Sequence, residues 1–147
     1  MRFWSKKMND WADAWDAFIS GAPHLLSHFT ISAVILALGV LIYTKLTPIK
    51  ELDLLRKRNL AAGISLSGAF ISLALPLSAS LSSSMTIPTI VIWGSTAIFI
   101  QLVCDRLAGL LIGNVYQRIS DNELSAAVAL VGIKISVAML NSAVISG

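Results

Sequence analysis

Lys134 is the residue in this sequence with the most chemistry to account for, because it sits in the middle of "SAAVALVGIKISVAMLNSAV" (Ser125 to Val144), which otherwise reads as a membrane-crossing helix. An ammonium at mid-span costs about 2.5–3.5 kcal/mol on the insertion scale. The Leu, Ile and Val residues around it return about 3–6 kcal/mol together. The helix inserts with little to spare, so the charge requires a partner. At the rise of an α-helix, Lys134 lies about 15 Å from Leu124, farther than its side chain reaches alone, although helical side chains lean toward the N-terminal end. On the preceding apolar run, counted from Ile87, Gln101 falls about 21 Å along and Asp105 about 27 Å along, on one face. The expectation is a cluster in which Gln101 holds Lys134, Asp105 lies one turn beyond, and Asn141 extends the polar face two turns the other way. Such a cluster is either a structural lock between two helices or an ion or solute site.

No other constellation carries chemistry. "SLSG" (Ser65 to Gly68) resembles a serine-protease motif only superficially, since an intramembrane protease needs a His partner on a helix and the later apolar runs contain none. His24 and His28 stand one turn apart but would need further ligands to hold a metal, and they read as interfacial side chains. The single cysteine, Cys104, excludes an internal disulfide. No catalytic, cofactor-binding or metal-binding residue is therefore expected, and the chain does not read as an enzyme.

The elements that must position the cluster follow from composition. With 147 residues, 56% of them hydrophobic and 13% charged, the chain is not an ordinary soluble domain, and a mean hydropathy of +0.78 agrees. The net charge of +3 comes without a Lys/Arg stripe interleaved with aromatics, which argues against nucleic acid and for topology and anionic lipid. Apolar runs predict four spans: Leu25 to Tyr43, Leu60 to Ser80, Ile87 to about Leu107, and Leu124 to Ile145. After Asp105 and Arg106 the pattern resumes as "LAGLLIGNVY", so the third helix is expected to continue into the interface. Gly63, Ser67, Gly68, Ser72, Pro76 and Gly132 are the expected helix-packing positions, because small residues let backbones approach.

Residues 1–22 form a separate expected element. Trp4, Met8, Trp11, Trp15 and Phe18 recur at spacings of three and four, which is one helical face. They predict an amphipathic helix lying in the outer interface before the chain turns into the membrane near Pro23.

Displacing the sequence by 64 residues aligns Leu60–Ala79 with Leu124–Ala143, and nine of the twenty positions are identical. The unit is a two-helix hairpin, 25–81 and then 87–147, and an even number of spans per unit makes the copies parallel. Lys134, Gln101 and Asp105 replace Phe70, Ala37 and Leu41, so the polar residues belong to the second copy alone. Asn59, Ala61, Ala62, Ser67-Gly68, Pro76-Leu77-Ser78, Trp93-Gly94, Gln101-Leu102, Ile119, Asn122 and Asn141-Ser142-Ala143 together resemble the YjfL-like bacterial inner-membrane proteins. That resemblance implies an inner-membrane protein with a duplicated hairpin and no established activity. This chain departs from the family's pattern at Lys134, at Ser142, and at Asn122, one position before the repeat partner of Asn59.

The reading is an all-α integral membrane protein, four spans in two parallel-repeat hairpins after an interfacial helix. Its expected partners are the bilayer and either further copies of itself or other membrane proteins, as an accessory component of a membrane system. A small ion or solute channel built around Lys134, Gln101 and Asn141 is the alternative.

Orientation follows from the basic residues. Lys45, Lys50, Arg56, Lys57, Arg58, Arg106 and Arg118 belong to the cytoplasmic side, against Arg2, Lys6 and Lys7 at the N-terminus. Both termini then face the periplasm. In a Cys104→Ala background, an impermeant thiol reagent is expected to label Ser83→Cys and Gly147→Cys in intact cells and to reach Lys57→Cys only after lysis. Labelling of Lys57→Cys in intact cells reverses the orientation.

Overall fold

The computed structural model describes the backbone of residues 2–84 and 86–147 and the side chains of 10–84 and 86–147. In chain order the helices are α1 (Arg2–Leu46), α2 (Glu51–Arg56), α3 (Leu60–Ser83), α4 (Ile87–Leu111), α5 (Val115–Ser120) and α6 (Leu124–Ser146). Among the described residues there is no strand, and 4 helices are long and apolar enough to cross a membrane. The 23 to 25 residues of α3, α4 and α6 extend about 35–38 Å, a little more than the hydrocarbon thickness of about 30 Å.

α1 corrects one expectation. The chain does not turn near Pro23; a single 45-residue helix runs through it. Proline removes one backbone donor, a loss that a helix in or near hydrocarbon bears more easily than the several unpaired N–H and C=O groups that a break would leave. Ser20 and Ser27 hydroxyls donate to the Ala17 and His24 carbonyls at 3.0 and 2.9 Å, and the His28 ring meets the His24 carbonyl at 2.7 Å. α1 is thus about 67 Å long, roughly twice the hydrocarbon core. Only its later half, from about Ser27, packs on the bundle. Trp11, Trp15 and Phe18 stay exposed, with the Trp15 and Phe18 rings stacked 5.6 Å apart. The Trp4 and Met8 side chains, also assigned to that face, lie outside the described residues.

α3 and α6 share the most extensive interface. They start at the same end and run parallel, in contact because α3 presents Ala61, Ala62, Ser65, Ala69 and Ser72, all fully or almost fully buried. A Cβ at Gly68 would overlap the Val131 side chain. α4 packs against α1, α3 and α6. It extends a turn past Leu107 to Leu111, and then Gly113 and Asn114, at φ +50° and +48°, reverse the chain into α5.

Boundaries recur at the 64-residue displacement. α2 and α5 correspond end to end, α3 and α6 start at Leu60 and Leu124, and the left-handed residues before them are Arg58 (φ +64°) and Asn122 (φ +62°). The two junctions are tied together: the Asn59 amide donates to the Ile119 and Ser120 carbonyls at 3.0 Å each, and the Ala61 N–H donates to Asn122 Oδ1 at 3.1 Å. Asn59 also caps α3 by accepting from the Ala62 N–H at 2.8 Å. At the second junction Arg118 forks onto Glu123, with Nε at 2.7 Å from Oε2. The guanidinium and the Ser125 hydroxyl hold the Glu123 carboxyl down at about 2.

The packing positions divide. Gly68, Ser72 and Pro76 are buried and Gly63 lies beside Leu55, whereas Ser67 and Gly132 are exposed, with open space around Gly132. Small size alone did not distinguish the interior from the lipid face of the same helix. Gly68→Ala is therefore expected to lower stability by about 1–3 kcal/mol through overpacking against Val131, while Gly132→Ala is expected to be neutral or stabilising by up to about 1 kcal/mol. Thermal melts in detergent check both, and equal effects would contradict this assignment of faces.

Candidate functional site

The strongest concentration of buried polar groups lies where α2 folds under the bundle. Lys134 is 1% exposed, on the face of α6 turned to α1 and α4. Its Nζ donates to the Tyr43 hydroxyl at 2.8 Å, stands 4.4 Å from that ring's centroid, and lies 4.0 Å from Asp105 Oδ2. The Tyr43 hydroxyl in turn donates to Glu51 Oε1 at 3.1 Å, and the Ser65 hydroxyl donates to the same oxygen at 2.7 Å. Gln101 Nε2 donates to Asp105 Oδ1 at 2.9 Å and to the backbone carbonyl of Lys134 at 3.2 Å. Tyr43, Glu51, Ser65, Gln101 and Asp105 are all buried.

Each side chain has a local reason for its place. Tyr43 occupies the last turn of α1, and Thr47 closes that turn by bonding the Tyr43 carbonyl at 2.9 Å. Pro48 then prevents the helix from continuing, and the Asp53 and Leu54 N–H groups bond the Lys50 carbonyl at 3.0 Å to start α2. Glu51 is thereby turned inward; it is the one buried residue of α2. Gln101 and Asp105 are one turn apart on α4, on the stripe that also buries Ala97, Ile98, Leu102 and Ala108. Lys134 leans toward the start of α6, as helical side chains do, and so toward the end of the bundle where α1 stops.

The structure brings Gln101, Asp105 and Lys134 together, with one correction. The ammonium bonds Tyr43, and Gln101 meets the main chain of Lys134. The Tyr43 hydroxyl takes the ammonium at 2.8 Å, and Gln101 directs Nε2 to the Asp105 carboxylate and the Lys134 carbonyl, which leaves its own acceptor Oε1 without a partner. Asn141 stands apart, where its amide donates to the Ala97 carbonyl at 3.1 Å and joins α6 to α4 farther from α2. Sequence reasoning missed Tyr43, Glu51 and Ser65. Glu51 carried the available signal, as an acidic residue amid Lys45, Lys50, Arg56, Lys57 and Arg58.

Glu51 is pushed above the ordinary carboxyl range by burial, an effect only partly offset by the Ser65 hydroxyl, the Lys134 charge and the Tyr43 hydroxyl. Its Oε2, Asp105 Oδ2 and Gln101 Oε1 are buried without a hydrogen-bond partner. Beside Glu51 a pocket of about 180 Å³ opens between Thr44, Ile49, Lys50, Leu52 and Asp53. Away from α2, the core is filled by Leu73, Leu77, Ile98 and Ala138, all buried. These are groups that can hold charge and exchange protons.

Comparison with known proteins matches residues 17–145 to the family described as Domain of Unknown Function (DUF350). Among curated proteins, the UPF0719 inner membrane protein YjfL of Escherichia coli strain K12 is 32% identical over 77 residues, as is that of Escherichia coli O157:H7. The match covers 52% of this chain and 58% of each relative, so it spans somewhat over half the length of the curated proteins. No solved structure matches. A bundle with 4 apolar helices, matched over most of its length, is thus a multi-pass inner-membrane protein, and the chain belongs to the DUF350 family.

Proposed function

We propose that the chain is a non-enzymatic component of a membrane-associated system, in which the Lys134 cluster locks the bundle and the remaining exposed apolar faces meet further copies or other membrane proteins. The observation that carries this reading is the reach of the cluster. A continuous set of side-chain contacts joins α1 through Tyr43, α2 through Glu51, α3 through Ser65, α4 through Asp105 and Gln101, and α6 through Lys134. Such a device fixes one arrangement of helices whose apolar surfaces alone tolerate several. The buried Leu73, Leu77 and Ile98 beyond it favour a lock over a conducting path.

Two surfaces support the assembly part. The Trp11–Phe18 face of α1 is unpacked within the chain, with Trp11 77% exposed; in the orientation read from the basic loops it belongs to the periplasmic interface, against headgroups or a partner. On α3, Phe70, Ile71, Ile64 and Leu60 border an open apolar groove that runs to Val131 of α6. The matching boundaries at the 64-residue displacement support a duplicated hairpin as the origin of the bundle.

Lys134→Met and Asp105→Leu, each alone, are expected to destabilise the protein by about 3–5 kcal/mol near neutral pH, because each strands a buried charge. The double variant is expected to recover most of that loss, with a coupling of at least about 1 kcal/mol in thermal melts. Coupling near zero means that the pair does not lock the bundle. In the same preparations, liposomes holding the wild-type chain are expected to pass no more ions than empty ones. A flux abolished by Lys134→Met at unchanged stability supports the channel reading in place of this one.

A further inference from the structure

The charges of the cluster do not balance. One ammonium, Lys134, faces two buried carboxyls, Asp105 and Glu51, from α4 and α2. Around Glu51, α1 contributes Tyr43 and α3 contributes the uncharged Ser65, and Tyr116 of α5 packs with Ile49 and Leu54 against the same part of the core. On its own segment Lys50 is exposed, and Asp53 is exposed and pairs with Arg56 at 3.8 Å. None of these supplies a second buried cation. With both carboxyls ionised the interior would carry an uncompensated negative charge, which low-dielectric surroundings do not sustain.

We propose that the cluster binds one exchangeable proton, held by Glu51 and exchanged through the pocket beside it, on the face of the protein that carries the basic loops. Distance from the ammonium assigns the carboxyl. Glu51 Oε1 accepts from both Tyr43 and Ser65, whereas Oε2 is buried and unpartnered. Oε2 is left in low-dielectric surroundings with no cation within 4 Å among the described residues, and a proton is what neutralises it there. Asp105 likewise leaves Oδ2 without a hydrogen bond, but that oxygen lies 4.0 Å from the Lys134 ammonium, which makes Asp105 the ionised partner. Lys134 and Asp105 then neutralise one another, and the proton neutralises Glu51.

The proton has a mechanical consequence. Glu51 is the only buried residue of α2, so the docking of that helix depends on a side chain that titrates. When the O–H bond of Glu51 breaks, the proton leaves to water in the pocket lined by Lys50 and Asp53, and the carboxylate stays behind with Tyr43 and Ser65. Its charge draws on the ammonium through Tyr43 and favours exposure of α2 to water. Burial raises the Glu51 pKa in the folded state. Stability from the docked acid is therefore complete at low pH and is lost as pH rises through that raised value. Lys134 thereby acts as a positioning residue for a proton site that sequence reading did not anticipate.

The chain contains two glutamates, Glu51 and Glu123, and Glu123 is held ionised by Arg118 down to about 2. Infrared spectra of the full chain in lipid nanodiscs, with carboxyl-13C glutamate or with carboxyl-13C aspartate, therefore assign the proton without any substitution. The expected result near neutral pH is a protonated-carboxyl band that shifts with labelled glutamate, ignores labelled aspartate, and fades as pH is raised. Glu51→Gln is expected to abolish the band and to flatten the alkaline fall of the melting temperature. A band that moves with labelled aspartate places the proton on Asp105 and overturns the proposal. The absence of any such band, or a stability that follows sodium or potassium at constant pH, overturns it in favour of a different counter-charge. Ion flux and the Lys134–Asp105 coupling are separate measurements, so failure here leaves the lock to stand or fall on its own.

Discussion

An ammonium in the hydrocarbon layer finds no water, so everything it needs must come from the protein, and the rest of this bundle is arranged around that requirement. Lys134 can be reached from α1 only because α1 ends at Leu46, a turn past Tyr43, and from α4 only because Asp105 and Gln101 share the buried stripe. Tyr43 in turn needs an acceptor for its own proton, which brings in Glu51 and with it α2. The small-residue face of α3 is the geometric condition for all of this. Larger side chains at Ala61, Ala62 or Ala69 would hold α6 away and leave the ammonium short of its partners.

The two halves of the chain share a backbone plan and differ in what they bury. At the 64-residue displacement, Lys134, Gln101 and Asp105 stand opposite Phe70, Ala37 and Leu41, and all three of the latter face outward. α4 lies against α6 on its polar side, but the corresponding flank of α3 carries Phe70 and Ile71 beside an open groove. The asymmetry follows from the polar cluster: Lys134 binds α6 to α4 and α1, whereas Phe70, at the corresponding place on α3, makes no such polar hold. An apolar flank is left to lipid or to another protein.

Much of the fold was legible because hydrocarbon imposes a length and a composition. The starts of α3, α4 and α6 at Leu60, Ile87 and Leu124 follow from that alone. The continuity of α1 through Pro23 was not, since a proline that ends a helix in water is tolerated where broken hydrogen bonds are dearer. In the site, Lys134, Gln101 and Asp105 stood out as polar residues within apolar runs. Tyr43, Glu51 and Ser65 did not, because the first ends a span, the second belongs to a loop by charge, and the third is one serine among many. Partners were sought only within the spans, and the fold-back at Pro48 brought in one from outside. Ser67 and Gly132 are exposed within the chain for a related reason: on a uniformly apolar helix, periodicity carries no information about which face is inside.

A buried ion pair is weak evidence for stability, since well-packed apolar residues of the same volume serve as well or better. Its value here lies in register. On the α3 side the α3–α6 interface is lined largely by alanine and serine, small side chains that by themselves specify axial offset weakly. Hydrogen bonds to named atoms at three heights remove that freedom. Asn59 meets the Ile119 and Ser120 carbonyls at one end, Tyr43, Asp105 and Gln101 hold Lys134 in the middle, and Asn141 meets the Ala97 carbonyl toward the other. A slip of α6 by one helical turn, about 5.4 Å, would break the Lys134 and Asn141 contacts at once, and the Asn59 contacts too if α5 moved with it. The polar contacts at these heights thus favour one packing, and they run from α1 and the start of α3 to α4, α5 and α6.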